Sequence, residues 1–408
     1  MAANNTFAGS LNAMFKENYA DKIEDLIPDG VKLLNLVKFM PKDKQPGNLY
    51  HQPVILGLEH GVTFASSDED AFNLAAPIAG VIKDAQVRGY PLVLRSVLGY
   101  TAASRAAQGG KQAFMDATKY LVSNMLRSVT KKLEIEMFYG QMGYGQVASN
   151  AGSTITVSTA EWAPGVWAGA EGMPIEIRDT TGATSKGNFK VVSVSMDNRT
   201  VTLDSDPSPL VAGDVIWHGG AYGNEFPGVH KILTNAATIF NINAGTYNLF
   251  KGNNYPAGSA ALSFNKLNLA AARGVEKGQD GKLIAFVNPR AWSNMMNDQA
   301  ALRRYDGSYS KEKAEMGAKS ILFHSQNGEI EIHPSIYIKE GYAFLLNLED
   351  WMRVGSQDVS FKRPGQGEEF FRDLENAAGY ELRLYTDQAL FCMAPGRSTI
   401  ITAIVNST

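Results

Sequence analysis

The sequence predicts an α+β fold in which a small β-module is inserted behind one long helix. Three observations lead there. Between Gly110 and Gly140, Ala117, Leu121, Met125, Val129, Leu133 and Met137 recur every fourth residue. Phe114, Leu126 and Phe138 widen that stripe into one apolar face of an α-helix. From about Ser153 to Gly219 the texture changes to short β-branched runs between turn residues. The chain then closes on alternating strands, read as two long ones at Gly379 to Tyr385 and Gln388 to Met393, before Thr399 to Val405.

Composition sets the frame for these elements. A chain of 408 residues is long enough for two or three compact units. Hydrophobic residues at 44% and charged residues at 19% are an ordinary globular balance, so a substantial core is expected. A formal net charge of −3 argues against a dedicated nucleic-acid binder, which needs concentrated Lys and Arg to displace counterions. Local basic patches remain compatible with that total. The single cysteine, Cys392, excludes an internal disulfide, and its setting in Leu390-Phe391-Cys392-Met393 predicts a buried, unreactive thiol. Met1 to Thr6 lack the basic and apolar regions of a signal peptide. No apolar run approaches the ~20 residues of a membrane span. A soluble product of a reducing compartment is therefore expected, and the sequons at Asn4, Asn198 and Asn406 are read as chance matches.

Taken in order, residues 1 to about 48 hold short amphipathic pieces, Leu26-Ile27 and Val31 to Phe39, broken by Pro41 and Pro46. Such a segment cannot form its own core and suits an arm packed on something else. From Leu49 to Tyr100 strands are expected at Pro53 to Leu56, Val62 to Phe64 and Tyr90 to Leu98. Ser67-Asp68-Glu69-Asp70 reads as a helix N-cap with acidic first-turn residues. A calcium loop would need an oxygen ligand at position 72, which is Phe72.

The long helix, about 28 residues, would span roughly 42 Å. That is far beyond the usual length of about 11–12 residues. Its polar face, with Lys111, Asp116, Lys119, Arg127, Lys131 and Glu134, is expected at solvent or at an interface. Beyond Gly140, Gly143 and Gly145 come strands at Thr154 to Val157, Ile175 to Ile177, Phe189 to Ser195, Val201 to Leu203 and Val215 to Trp217, with a hairpin turn at Asp197-Asn198. Strands so short and closely spaced make a small barrel or sandwich. After Asn224 a helix is expected near Ser263 to Val275 and a strand at Leu283 to Val287. Pro289 then leads into a helix running from Ala291 to Arg304. Ser320 to Phe323 and Glu329 to His333 should pair through a turn at Gln326-Asn327-Gly328, with Ile336 to Ile338 and Tyr342 to Leu348 extending the sheet.

The residues that carry chemistry elsewhere form no site here. Histidines at 51, 60, 218, 230, 324 and 333 include no pair at the i, i+4 spacing of a helical zinc site. No Gly-x-Ser-x-Gly elbow occurs. Gly365-Gln366-Gly367 lacks a third glycine and adjoins Glu368-Glu369, which would repel phosphate. Glu349-Asp350 and Glu368-Glu369 are adjacent pairs whose members point to opposite faces of extended chain, so they are read as solvated charge. Trp162, Trp167 and Trp217 are expected to fill the core of the inserted module, with stacking of sugars or bases as the rival role. The loop Trp162-Ala163-Pro164-Gly165 is expected to be its most exposed part. No catalytic, cofactor-binding or metal-ligating residue is assigned, and no cofactor.

Two stretches carry a resemblance. Gly328 to His333 with Ile338 to Leu346, and Phe371 to Asn376 with Glu381 to Tyr385 and Phe391 to Pro395, resemble the axial hairpin and closing peripheral strands of tailed-bacteriophage major capsid proteins of the Hong Kong 97-type fold. The resemblance runs in order through most of the chain. It implies an N-terminal arm (1–48), an extended β-loop (49–104), a spine helix with the start of a peripheral domain (105–150), an inserted β-barrel-like domain (151–222), an axial domain (223–355) and closing strands (356–408). It further implies a non-enzymatic virion subunit assembled in the host bacterial cytoplasm. Such subunits form hexamers and pentamers of an icosahedral shell around double-stranded DNA. Implied partners are further copies of itself, scaffolding, portal and decoration proteins, and packaged DNA held non-specifically; no membrane is implied. Some members join subunits by a Lys–Asn isopeptide, and no residue pair here identifies one. The rivals are an encapsulin-like nanocompartment shell, a tail-associated or carbohydrate-binding β-protein, and a hydrolase built from dispersed carboxylates.

Overall fold

The long helix spans Lys111–Tyr139 and buries Met125, Val129, Leu133 and Met137, the stripe that its spacing predicts. Leu126, counted with the stripe, is instead 37% exposed. In a computed structural model, residues 30–41, 47–68, 72–99, 111–207, 209–296, 321–325, 328–362, 372–373 and 379–406 are described. Leu26-Ile27, Gln326-Asn327, Gly365 to Glu369 and most of Phe371 to Asn376 lie outside them.

The last two turns of the helix are buried on every side, because Ile135, Phe138 and Tyr139 enter the core beside Glu134 and Glu136. Glu134 therefore departs from the expectation of a solvated face. Its carboxylate accepts the backbone N–H groups of Lys32 (2.9 Å), Leu33 (2.9 Å) and Leu34 (2.8 Å). These open the short helix Leu33–Leu36, whose first N–H groups have no partner within the helix. The segment around it packs on its own chain, with Met40 N donating to Arg353 O at 2.9 Å and Arg353 N to Lys38 O at 3.0 Å.

Behind the long helix six strands close a barrel in the order Gly145–Ala151, Thr154–Val157, Thr200–Leu203, Ser185–Ser195, Pro174–Arg178 and Val215–His218. The strand Gly145–Ala151 is additional to those predicted, since Gln146, Ser149 and Asn150 make it polar and only Gly145 and Val147 turn inward. Ile155, Ile175, Ile177, Val191, Val201 and Ile216 are buried among the barrel strands.

Trp162 and Trp167 stack at 5.9 Å with rings 9° apart, and Trp217 is buried as well. The loop expected to be exposed is covered. Gly165 N donates to Ile336 O (2.9 Å), Glu340 N to Trp162 O (3.0 Å) and Gly341 N to Ala160 O (2.8 Å). A Cβ at Gly165 would stand 2.8 Å from Ile336 Cγ1, so only glycine admits this approach. Barrel and long helix thus share one continuous core.

The chain next builds a six-stranded sheet ordered Asn253–Ala260, Thr399–Ile404, Ala343–Leu346, Leu283–Val287, Gly328–Pro334 and Ile321–Ser325. The helix Phe264–Val275, capped by Ser263, packs its apolar face on this sheet. The predicted strand at Ile336 to Ile338 is a turn, because Tyr337 and Ile338 are drawn into the core beneath the barrel loop. The next strand is correspondingly short, Ala343–Leu346. The helix begun by Pro289 is described to Met296; its expected continuation to Arg304 lies outside the described residues.

The two closing strands are one, Gly379–Cys392. The expected break at Thr386-Asp387 does not occur. Thr386 and Gln388 are buried and bonded to each other at 2.9 Å, and Gln388 also accepts from Arg353 at 2.9 Å. Polar residues that usually mark a turn are here satisfied within the sheet. This strand pairs along its length with Tyr90–Gly99 on one side and with Trp351–Ser360 and Arg372–Asp373 on the other. Cys392 is buried. Among the described residues no helix is long and apolar enough to cross a membrane.

Candidate subunit-contact surface

Tyr50–Gly57 and Val81–Val87 pair as an antiparallel ribbon, in register from Tyr50↔Val87 to Ile55↔Ile82, with a shift before Gly57↔Val81. The strand Val81–Val87 was not expected, because Lys83, Asp84 and Gln86 interrupt its alternation. The base of the ribbon is fixed. Ala85 and Val87 are buried, Gln86 N donates to Phe240 O at 3.0 Å, and Tyr50 meets Phe391 edge-on at 6.0 Å. His51 Nδ1 and Asp84 Oδ2 lie 2.6 Å apart across the ribbon; this hydrogen bond first, and one from Gln86, hold the Asp84 carboxyl below its usual range.

Away from the base the apolar side chains have no core to enter. Ile55 and Ile82 face each other across the register at 68% and 63% exposure. In the loop beyond, Leu58 is 74%, Phe64 93% and Leu74 81% exposed, and Val62 and Ile78 are exposed too. Val62 to Phe64, expected as a strand, has no strand partner, and Ser67-Asp68 form a turn with no helix described after it. Glu69 to Ala71 lie outside the described residues. Within the loop His60 N donates to Ile78 O (3.2 Å) and Ala75 N to Thr63 Oγ1 (2.7 Å). Contiguous apolar exposure on this scale marks an interaction surface. Burying each such side chain is worth roughly 1.5–3 kcal/mol.

The strand Tyr90–Gly99, next in sequence, exposes Val93 (53%) and Val97 (49%) on the same face as Arg95. Glu381, opposite Val97, bridges Arg95 at 2.8 Å and also bonds Arg383.

The remaining candidates are dispersed. His51 is on the ribbon, His218 lies at the barrel rim, and His230 is buried against Tyr342. His333 sits 3.2 Å from Glu331. Glu349 is exposed, but Asp350, read as solvated charge on extended chain, lies in the 3-10 turn Leu348–Asp350, buried because Arg397 (3.2 Å) and Asn347 (3.1 Å) satisfy its carboxylate. Among the described residues no group of three or more His, Cys, Asp or Glu converges as a metal site.

No family model matches the sequence, and no curated relative does. Solved structures do. The chain is similar to the subunit in the capsid asymmetric unit of cyanophage A-1(L), with a TM-score of 0.59 and 10% identity over 98% of this chain and 99% of that one. It is similar to the capsid subunit of the native GTA particle, with a TM-score of 0.53 and 8% identity over 99% of this chain and 100% of that one. The chain has the Hong Kong 97-type capsid fold. Among the described residues the ribbon and its loop hold the most exposed large apolar side chains, Phe64 and Leu74. The strand expected at Pro53 to Leu56 is present, whereas its partner Val81–Val87 was not legible because it carries no apolar alternation.

Proposed function

We infer that the chain is the major capsid subunit of a tailed bacteriophage and that it has a structural, non-enzymatic role. One observation carries this: a ribbon anchored at its base holds a run of apolar side chains, up to 93% exposed at Phe64, that no described residue covers. A shell subunit of this fold has a use for such a ribbon, because it buries its apolar tip on a neighbour. Contacts of that head-to-tail kind close by rotation into rings, here hexamers and pentamers. In this reading residues 1–48 are an arm, 49–104 the extended loop, 105–150 the spine helix, 151–222 the inserted barrel, 223–355 the axial domain and 356–408 the closing strands. Scaffolding, portal and decoration proteins, and double-stranded DNA held without sequence preference, complete the partners, and the virion is the location.

The test is negative-stain microscopy of the purified full chain, alone and with Phe64→Asp. Capsomers or shells from the parent chain, and their loss in the variant, support the reading. Monodisperse monomers from the parent chain overturn it. Assembly unaffected by Phe64→Asp removes the role of the ribbon.

A further inference from the structure

Where the long helix ends, it encloses with the strand Tyr90–Gly99 and the barrel rim a cavity of about 320 Å³. Leu92, Leu94 and Val129 form its apolar wall, and the exposed Gly220 and Asn224 line its mouth. Two buried carboxyls face one another here, Glu136 from the helix and Glu225 from the segment that leaves the barrel. Each is bonded to the other's segment. Glu136 Oε1 accepts Phe226 N at 3.0 Å, and Glu225 Oε2 accepts Gln141 N at 3.1 Å. Gly228 N donates to Gly140 O at 3.0 Å, and a Cβ on Gly140 would lie 2.1 Å from Phe226 O. The exit from the helix and the return from the barrel are therefore stitched together through two acids.

Like charges this close in a poorly solvated site do not both ionise. The cation facing them is Lys132, one turn before Glu136 on the same helix; its Nζ lies 3.2 Å from Met173 Sδ and 3.4 Å from the Tyr144 hydroxyl. Burial keeps the Tyr144 hydroxyl protonated, and burial followed by Lys132 pushes His218 down to about 4, so neither adds charge at neutral pH. From the strand Tyr90–Gly99 the titratable group lining the cavity is Tyr90. Burial first, then Lys131, pushes Lys132 itself down to about 7, so the two acids face a cation that gives up its charge near neutral pH.

We propose that this crossover is a proton-linked hinge. A proton retained on the Glu136–Glu225 pair clamps the helix end to the barrel exit, and its loss draws water into the cavity and frees them. Burial raises Glu225 to about 7, and burial followed by Glu225 raises Glu136 well above the carboxylate range. Both shifts are upward. The clamp is complete below the ordinary carboxylate pKa of 4.5 and is lost as pH rises through about 7. His218 acts in the opposite sense between 6.5 and about 4, and Lys132 does so between 10.5 and about 7. Comparison with Glu225→Gln and Glu136→Gln, which leave both groups in place, separates the acid pair from them.

The test is hydrogen exchange of the full chain from about pH 5.5 to about pH 8.5, corrected for intrinsic rates, in peptides covering Gln141–Tyr144 and Glu225–Gly228. Parent protection should fall about tenfold across that range there, while the buried strand Leu283–Val287 stays protected. Glu225→Gln and Glu136→Gln should each abolish this fall with rising pH. Two variants are used so that a folding failure in one leaves the other decisive. Protection unchanged with pH in the parent chain, or lost equally in the variants, overturns the hinge.

Discussion

Lys339 Nζ lies 2.6 Å from Glu161 Oε2, both side chains buried, and this pair ties the barrel entrance to the turn before the strand Ala343–Leu346. Tyr342 donates to the other Glu161 oxygen at 2.5 Å, and the ammonium also reaches Gly143 O at 3.1 Å and lies over the Tyr139 ring. Replacing one member strands the other. Lys339→Met should cost about 3–5 kcal/mol in urea unfolding, and Lys339→Met combined with Glu161→Leu should recover part of it. A double variant as unstable as the single one would show that the pair is not coupled.

The same network sets an acid limit. Burial pushes the Glu161 carboxyl up, but the Lys339 ammonium and its hydrogen bond outweigh burial and hold it below the usual range. Burial, then Lys339, pushes His230 down to about 4. Both folded values are depressed, so their stabilisation is present above the unfolded values. The His230 part is lost as pH falls from 6.5 through about 4, and the Glu161 part below 4.5. Thermal melts should show a steeper loss below about pH 6 in the parent chain than in His230→Phe.

Glu134→Ala should rank among the most damaging single changes. It leaves three backbone N–H groups without their carboxylate. Each buried donor left unsatisfied costs about 1–3 kcal/mol. Equilibrium unfolding measures the sum. A loss below about 1 kcal/mol would mean that water replaces the carboxylate.

Gly165→Ala should destabilise by about 1–3 kcal/mol, since the new methyl meets Ile336 and Tyr337 at under 3 Å. Ala→Gly changes on the barrel's outer face have no such steric reading. Differential scanning calorimetry of Gly165→Ala against the parent decides it.

Leu74→Asp on the ribbon loop should do the reverse. Leu74 is 81% exposed, so stability should change by less than about 0.5 kcal/mol while assembly is lost. Paired unfolding and sedimentation measurements separate the two effects.

Local pattern determined a good deal by itself. The four-residue recurrence from Ala117 to Met137 is a property of one helix, and the barrel strands Thr154–Val157 and Thr200–Leu203 bury their own alternate residues. The capping serine at Ser263 and the apolar setting of Cys392 are equally local. What only the tertiary structure decided involves partners far apart in sequence. Glu134 reads as a surface charge until it meets Leu34, 100 residues away. Thr386-Asp387 reads as a turn until flanking strands satisfy its polar atoms. The Trp162 loop reads as exposed until the turn at Ile336 covers it. The physical reason is common to all three. Periodicity records which face of an element is apolar, whereas a buried polar group is permitted only by the particular donor or acceptor that folding brings to it.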